Sequence, residues 1–308
     1  MKSKQTVSSY APEGHQVKQG TPTMGGLIPI LGGLVATVLG WVPWQVAVLF
    51  FGFAAIGFMD DYLVPKFVKG SRGLSWMPKL ALQFTVAGFV GLQLLSQDYA
   101  LLALFIFVIL FASNAYNFSD GLDGLAGGLG VLLFFGLFLY IMGPTSTVSV
   151  QALTADLLIP MPTPGFLSAT VIGGMLAFLY YNAPPAKVFM GDVGSLSIGA
   201  LIGYGLFLFP SGVQVINPEG GAAMGVLAAI VISGILIIEL VPVPLQILSV
   251  KLRKGKRLFS YTPIHHAFEK KGVPETRVTA SMLLTQLILI LLAWQLVSGW
   301  VGLEGSRG

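Results

Sequence analysis

Residues 99–124 read YALLALFIFVILFASNAYNFSDGLDG. No charge interrupts Tyr99 to Asn117, and a helix needs roughly 20 mostly apolar residues to cross a hydrocarbon core of about 30 Å. The run from 99 to 115 therefore reads as a membrane span. At its edge stand Asn114, Asn117, Asp120 and Asp123, amides and carboxylates where the chain returns to water. This succession of an apolar span and a polar, carboxylate-bearing edge recurs along the chain and decides the fold class.

Working outward, apolar runs bounded by charge, proline or glycine fall near 24–40, 44–59, 80–96, 99–115, 122–142, 166–182, 194–209, 222–250 and 279–301. The expectation is an all-α polytopic membrane protein with about nine transmembrane helices. Composition agrees: 55% of the 308 residues are hydrophobic and 10% charged, against about 25% charged in soluble domains. There is no cysteine, hence no disulfide framework, thiolate metal site or thiol nucleophile. Residues 1–308 are expected to form one integral membrane domain, with 1–22 a cytoplasmic arm and 251–278 a cytoplasmic loop. The 222–250 run is longer than one span needs and carries Glu239, Pro242 and Pro244, so a break or bend is expected there.

Nine crossings from an inside N-terminus put 16 of the 17 Lys and Arg residues on one face, with only Arg307 opposite. Cytoplasmic loops carry this basic excess. The net charge of +4 is then accounted for by membrane orientation and anionic lipid, and no nucleic-acid partner is expected. The opposite-side loops, including 143–165 and 210–221, are poor in charge.

The same basic face holds five aspartates at span ends: Asp60 and Asp61, Asp120 and Asp123, and Asp192. Ionisable groups beside membrane segments are costly and tend to mark functional sites, and paired carboxylates suit a hard divalent cation. Helix N-capping is the competing reading for Asp120 or Asp192. It fits Asp60-Asp61 poorly, because they sit at the end of a span, where the helix dipole disfavours anions. His265 and His266 lie side by side in Pro263-Ile-His-His-Ala-Phe-Glu269; they are either solvated loop residues or ligands for metal or phosphate. Glu239 is either a paired structural group or part of a groove.

Taken together, Gly20-Thr-Pro-Thr-Met-Gly-Gly26, Asp60-Asp61, NAYNFSDGLDGLAGG from Asn114 to Gly128, Asn182, Phe189-Met-Gly-Asp-Val-Gly-Ser195 and Pro263 to Glu269 closely resemble the phospho-N-acetylmuramoyl-pentapeptide transferases. The resemblance implies transfer of phospho-MurNAc-pentapeptide from its UDP carrier to undecaprenyl phosphate at a cytoplasmic cleft of the bacterial inner membrane, with Mg²⁺ as cofactor and lipid I and UMP as products. It implies catalytic roles for Asp60, Asp61, Asp192 and His265, with Asp192 and Asp61 at the metal and Asp60 activating the lipid phosphate. Asn114, Asn117, Asp120, Gly121, Leu122, Asp123, Asn182 and Phe189 would shape the uridine pocket, Lys18 and Thr23 the nucleotide or phosphate end, and His266 the phosphate side. Membrane lipid and a second copy in a homodimer complete the expected partners.

The chain departs from the family pattern in three ways. The family's first helix is expected to have no counterpart in residues 1–308, either genuinely or through a misassigned start, Ala267 stands where a third consecutive histidine is usual, and Val64 stands where a lysine often follows the Asp pair. Lys66 or Lys69 are the expected substitutes for that lysine. Two alternatives are a UDP-GlcNAc:polyprenyl-phosphate GlcNAc-1-phosphate transferase and a transporter. The Thr21 to Gly26 and Pro263 to Glu269 motifs argue against the first. A polar site at span ends, not at midplane, argues against the second.

Overall fold

The computed structural model describes residues 20–71, 73–95, 98–142, 164–216 and 220–304; Lys18, His15 and most of the 143–165 connection lie outside them. Among the described residues the chain is helical and contains no strand. In order, the helices are α1 (Leu27–Val38), α2 (Trp44–Phe58), α3 (Val64–Phe67), α4 (Trp76–Leu94), α5 (Tyr99–Phe118), α6 (Leu125–Met142), α7 (Pro164–Asn182), α8 (Gly191–Ile216), α9 (Gly221–Ile232), α10 (Gly234–Leu240), α11 (Pro242–Leu252), α12 (Ile264–Lys270) and α13 (Glu275–Glu304). Among the described residues, five stretches are long and apolar enough to cross a membrane: Trp44–Phe67, Tyr99–Phe118, Gly191–Gln214, Gly234–Leu252 and Glu275–Ser298.

Every apolar run of the sequence coincides with helix, and three boundaries differ from expectation. The run at 99–115 continues to Phe118, so Asn114 and Asn117 project from a helix. Its start is fixed by Asp98, whose carboxylate accepts hydrogen bonds from the Ala100 and Leu101 N–H groups at 3.0 and 2.9 Å. The run at 194–209 continues through Pro210 to Ile216, where a loop was expected; in an apolar setting, losing one ladder bond at proline costs less than exposing the remaining backbone. The long 222–250 run is broken as expected at Val241, ahead of Pro242, and a second time at Ser233.

The third difference matters most for the site. Asp60 and Asp61 do not end a helix: α2 runs into a π-helical turn, Met59–Leu63, closed by the Val64 N–H to the Met59 carbonyl, and then into α3. The dipole objection to that pair therefore falls away, and one surplus residue in the turn widens the backbone where the carboxylates project.

α8 is the axis of the molecule and the most buried of the five spans; α5, α2, α9 and α6 pack around it. Gly199 and Gly203 allow this, since a Cβ on either would come within 2.6 Å of Ser113 Cα or 3.0 Å of Ile109 Cα on α5. Small residues at such spacing let membrane helices approach backbone to backbone. α2 meets the start of α8 in the same way, because a Cβ on Gly57 would lie 2.2 Å from the Asp192 carbonyl oxygen. The Asp60-Asp61 turn and the first turn of α8 are thereby held together.

Candidate active site

Six separate segments converge at that junction. The loop Gly20–Gly26 pairs with the strand-like approach to α8, through Phe189 N–H to Pro22 O at 2.9 Å, Gly25 N–H to Phe189 O at 2.8 Å and Gly26 N–H to Met190 O at 3.0 Å. Asp61 accepts from Val193 N–H and Asp120 from Gly191 N–H, each at 3.0 Å. Both carboxylates thus satisfy N–H groups at the α8 N-terminus, where negative charge is favoured. Capping occurs here, but from other segments of the chain, a possibility that reading each Asp within its own helix misses.

Gly191 makes this arrangement possible. Its φ is +71° and a Cβ there would lie 2.6 Å from Asp61 Oδ2 and 3.2 Å from Met24 N, so only glycine fits without strain. Thr23, next to Met24, has a buried hydroxyl without a hydrogen-bond partner. A buried polar atom in that state is what a ligand oxygen or water would relieve.

Asp60, Asp61 and Asp192 each bring a carboxylate oxygen within 4.8 Å of the others. All donors in the group are hard oxygens, the set that suits Mg²⁺. Lys79, on the first turn of α4, reaches across to them, its Nζ 2.6 Å from Asp192 Oδ2 and 3.2 Å from Asp60 Oδ2. Asp192 also accepts at 2.8 Å from the Asn117 amide, which donates to Ser195 Oγ at 2.7 Å. The Leu74 N–H fixes Asp60 Oδ1 at 2.7 Å. Three carboxylates opposed by one ammonium leave an excess of negative charge for a divalent cation to offset.

Lys79 is the residue that sequence reading missed. Lys66 lies on the exposed side of α3, 3.2 Å from the Tyr62 hydroxyl, and takes no part in the cluster. The ammonium beside the Asp pair is thus supplied not by Lys66 but by Lys79, on the next long helix. The signal that could have found it was its position: Lys79 directly precedes the apolar run at 80–96, as Lys251 directly follows that at 222–250.

The second arc of the site is held by side chains whose polar ends are spent on backbone. Asn182 accepts from Gly124 N–H at 3.0 Å and donates to Val188 O at 2.9 Å. Asp123 accepts from Ala186 N–H at 2.9 Å, while its own N–H donates to Glu275 at 2.6 Å. Leu122 and Phe189 are buried, and Asn114 pairs with the buried Gln83 at 2.7 Å. Asn182 and Asp123 therefore shape the loop that carries Asp120 and Gly121, while Asn114 ties α5 to α4. Burial, opposed by the Gly191 N–H and reinforced by Asp192 and Asp61, pushes the Asp120 carboxyl well above the ordinary carboxylate range.

The histidine segment forms α12. His266 contacts Glu269 at 2.8 Å, whereas His265 is fully buried with its Nδ1 2.6 Å from Glu239 Oε2 on α10. Of the two readings of Glu239, the paired one holds. Ala267 is buried as well, so that position is filled by packing.

A helical membrane protein with a carboxylate and lysine site at converging helix ends is the class these features define. A sequence profile of glycosyl transferase family 4 matches residues 43–209. Proteins named phospho-N-acetylmuramoyl-pentapeptide-transferase are similar over most of the chain. That of Maridesulfovibrio salexigens is 34% identical, covering 94% of this chain and 83% of the relative. That of Desulfovibrio desulfuricans is 36% identical over 91% and 80%, and that of Rickettsia bellii 35% over 94% and 82%. The chain belongs to the phospho-N-acetylmuramoyl-pentapeptide-transferase family.

Proposed function

We propose that this protein transfers phospho-MurNAc-pentapeptide from UDP-MurNAc-pentapeptide to undecaprenyl phosphate, giving lipid I and UMP, in the bacterial inner membrane. The observation that carries the reading is the Asp60, Asp61, Asp192 and Lys79 cluster at one end of the helices, in a chain of this family. The membrane is crossed nine times, with the 1–22 arm, the 251–278 loop and the site cleft on the cytoplasmic face, which the Lys and Arg asymmetry supports.

In the reaction an oxygen of the lipid phosphate attacks the sugar-bearing phosphorus of the UDP donor, a new P–O bond forms, and the bond to UMP breaks. Asp60 takes any proton still on the lipid phosphate. Asp61 and Asp192, whose carboxylate oxygens lie close together, would hold Mg²⁺, and the cation would supply charge neutralisation for the diphosphate. Lys79 opposes charge on the departing UMP phosphate, and Asn117 keeps Asp192 oriented. Gly121 and Asp120, held in place by Asn182 and Asp123, border the uridine pocket; Leu122 and Phe189 wall it from the core side. Thr23 lies toward the phosphate end, as do His265 and His266. One preorganised electrostatic site suffices for such a step.

The test is incubation of purified protein with undecaprenyl phosphate, Mg²⁺ and either UDP-MurNAc-pentapeptide or UDP-GlcNAc. UMP and lipid I are expected from the first donor only. Turnover of UDP-GlcNAc alone would defeat the proposal.

A further inference from the structure

Glu239 pairs with His265 and has no part in the reaction as described. Both side chains are fully buried, and Nδ1 lies 2.6 Å from Glu239 Oε2. On the other side of the ring, Nε2 is buried and lacks a hydrogen-bond partner, as does Glu239 Oε1. Nε2 is aimed at the Asp120–Leu122 loop: a Cβ on Gly121 would lie 2.7 Å from it. The glycine leaves room for the imidazole edge beside the loop that borders the nucleotide.

Burial restricts which protons the pair can carry. A charged carboxylate beside a neutral imidazole would leave an uncompensated anion with no exposure to water, the costly state for buried ionisable groups. Two arrangements have no net charge. In one, an imidazolium faces a carboxylate; in the other, a carboxylic acid donates to Nδ1 of a neutral ring. In both, Nε2 carries a hydrogen. An unpartnered buried N–H next to a nucleotide loop calls for an anionic oxygen.

We infer that Glu239 is a positioning residue that keeps His265 as an Nε2–H donor, aimed past Gly121 at a phosphate oxygen of the UDP-linked donor. The inference rests on the reading of His265 as a phosphate-side residue and adds what sets its protonation. The break at Ser233 gains a purpose: the short α10 turns Glu239 toward α12, with which it packs. Without Glu239 the ring is free to adopt the other tautomer, which presents a lone pair to the phosphate and repels it.

Two measurements test this. The first is ¹⁵N NMR of the full-length protein labelled at histidine, with the His265 signals assigned by their loss in His265→Ala. Nε2 should read as protonated at neutral pH and should move on addition of UDP but not of uridine. An unprotonated Nε2, or equal shifts with both probes, overturns the inference, and this arm needs no Glu239 variant to fold. The second is a double-mutant cycle on UMP release: Glu239→Gln should lower kcat/KM by about tenfold in the wild-type background and by less than about twofold in the His265→Ala background. Equal losses in both backgrounds make Glu239 a structural group only and overturn the inference while leaving the role of His265 intact. Full activity in His265→Ala defeats the underlying reading of that histidine, and this inference with it.

Discussion

The carboxylate cluster and the His265–Glu239 pair lie in one site and answer the same problem, charge in a membrane protein, in opposite ways. Asp60, Asp192 and Lys79 are each 13–20% exposed and carry excess negative charge, which water and a cation can offset. His265 and Glu239 are fully buried and pair with each other. The open cluster is suited to exchange ligands, while the closed pair is suited to hold a single protonation pattern. Variants in the first should show in metal dependence, and variants in the second in proton placement.

The largest effect is expected for Asp192→Asn, which removes the charge shared by Lys79, Asn117 and the metal. UMP release should fall at least about a thousandfold, the loss of roughly 4 kcal/mol of transition-state stabilisation, while the protein still inserts and folds. Near-normal turnover at ordinary Mg²⁺ would take Asp192 out of the metal site.

Lys79→Gln sharpens the contrast, because its two expected effects have opposite signs. Turnover should drop on the order of a hundredfold, yet half-maximal activity should need less Mg²⁺, since Lys79 no longer competes for Asp192 and Asp60. An increased Mg²⁺ requirement would show that Lys79 supports the cation and does not oppose it. The same substitution at His265 or Glu239 should leave the Mg²⁺ requirement unchanged if the two regions are as separate as their burial implies.

Gly191→Ala tests the frame that joins the cluster to α8. The left-handed φ and the Cβ clash with Asp61 should together cost about 1–3 kcal/mol, read as a lower unfolding temperature in detergent. Activity should fall by about tenfold or more as Asp61 is displaced. A variant as stable and active as wild type would mean the turn relaxes freely. The smallest effect is expected for Lys66→Ala, whose side chain meets only Tyr62 and Phe67 on an exposed surface. Turnover should change by less than about twofold, within the ±0.5 kcal/mol typical of surface substitutions.

Helix positions were legible in the sequence because a hydrocarbon core permits few alternatives to a long apolar helix. Asp60, Asp61 and Asp192 were legible as a group because charge at span ends is rare enough to need a reason. What the sequence did not disclose was distance. Lys79 belongs to the Asp pair although Lys66 is nearer in the chain, and Asp61 caps a helix 132 residues away. Such partners are set by the packing of α2 on α8 and of α4 on α2 and α5, which no local pattern encodes. Glu239 illustrates the same limit: its burial could be guessed from its surroundings, but its histidine could not. The break at Ser233 and the Met59–Leu63 turn escaped detection although each has a local signal: Ser233 Oγ donates to the Ala229 carbonyl at 2.7 Å just ahead of Gly234, and Pro65 follows the turn.

That Met59–Leu63 turn contains one more residue than an α-helix would use over the same rise. In the language of deletions, it is a single-residue insertion that the helix has absorbed without a loop. Removing one residue between Asp61 and Val64 would restore regular winding and rotate all that follows by about 100° relative to the carboxylates. The chain segment that returns Leu74 N–H to Asp60 would then start in the wrong direction, and α4 would bring Lys79 to a different side of the bundle. The orientation of a catalytic pair is thus encoded partly in residue count, a quantity that no substitution at Asp60 or Asp61 can reveal and that a one-codon deletion would expose.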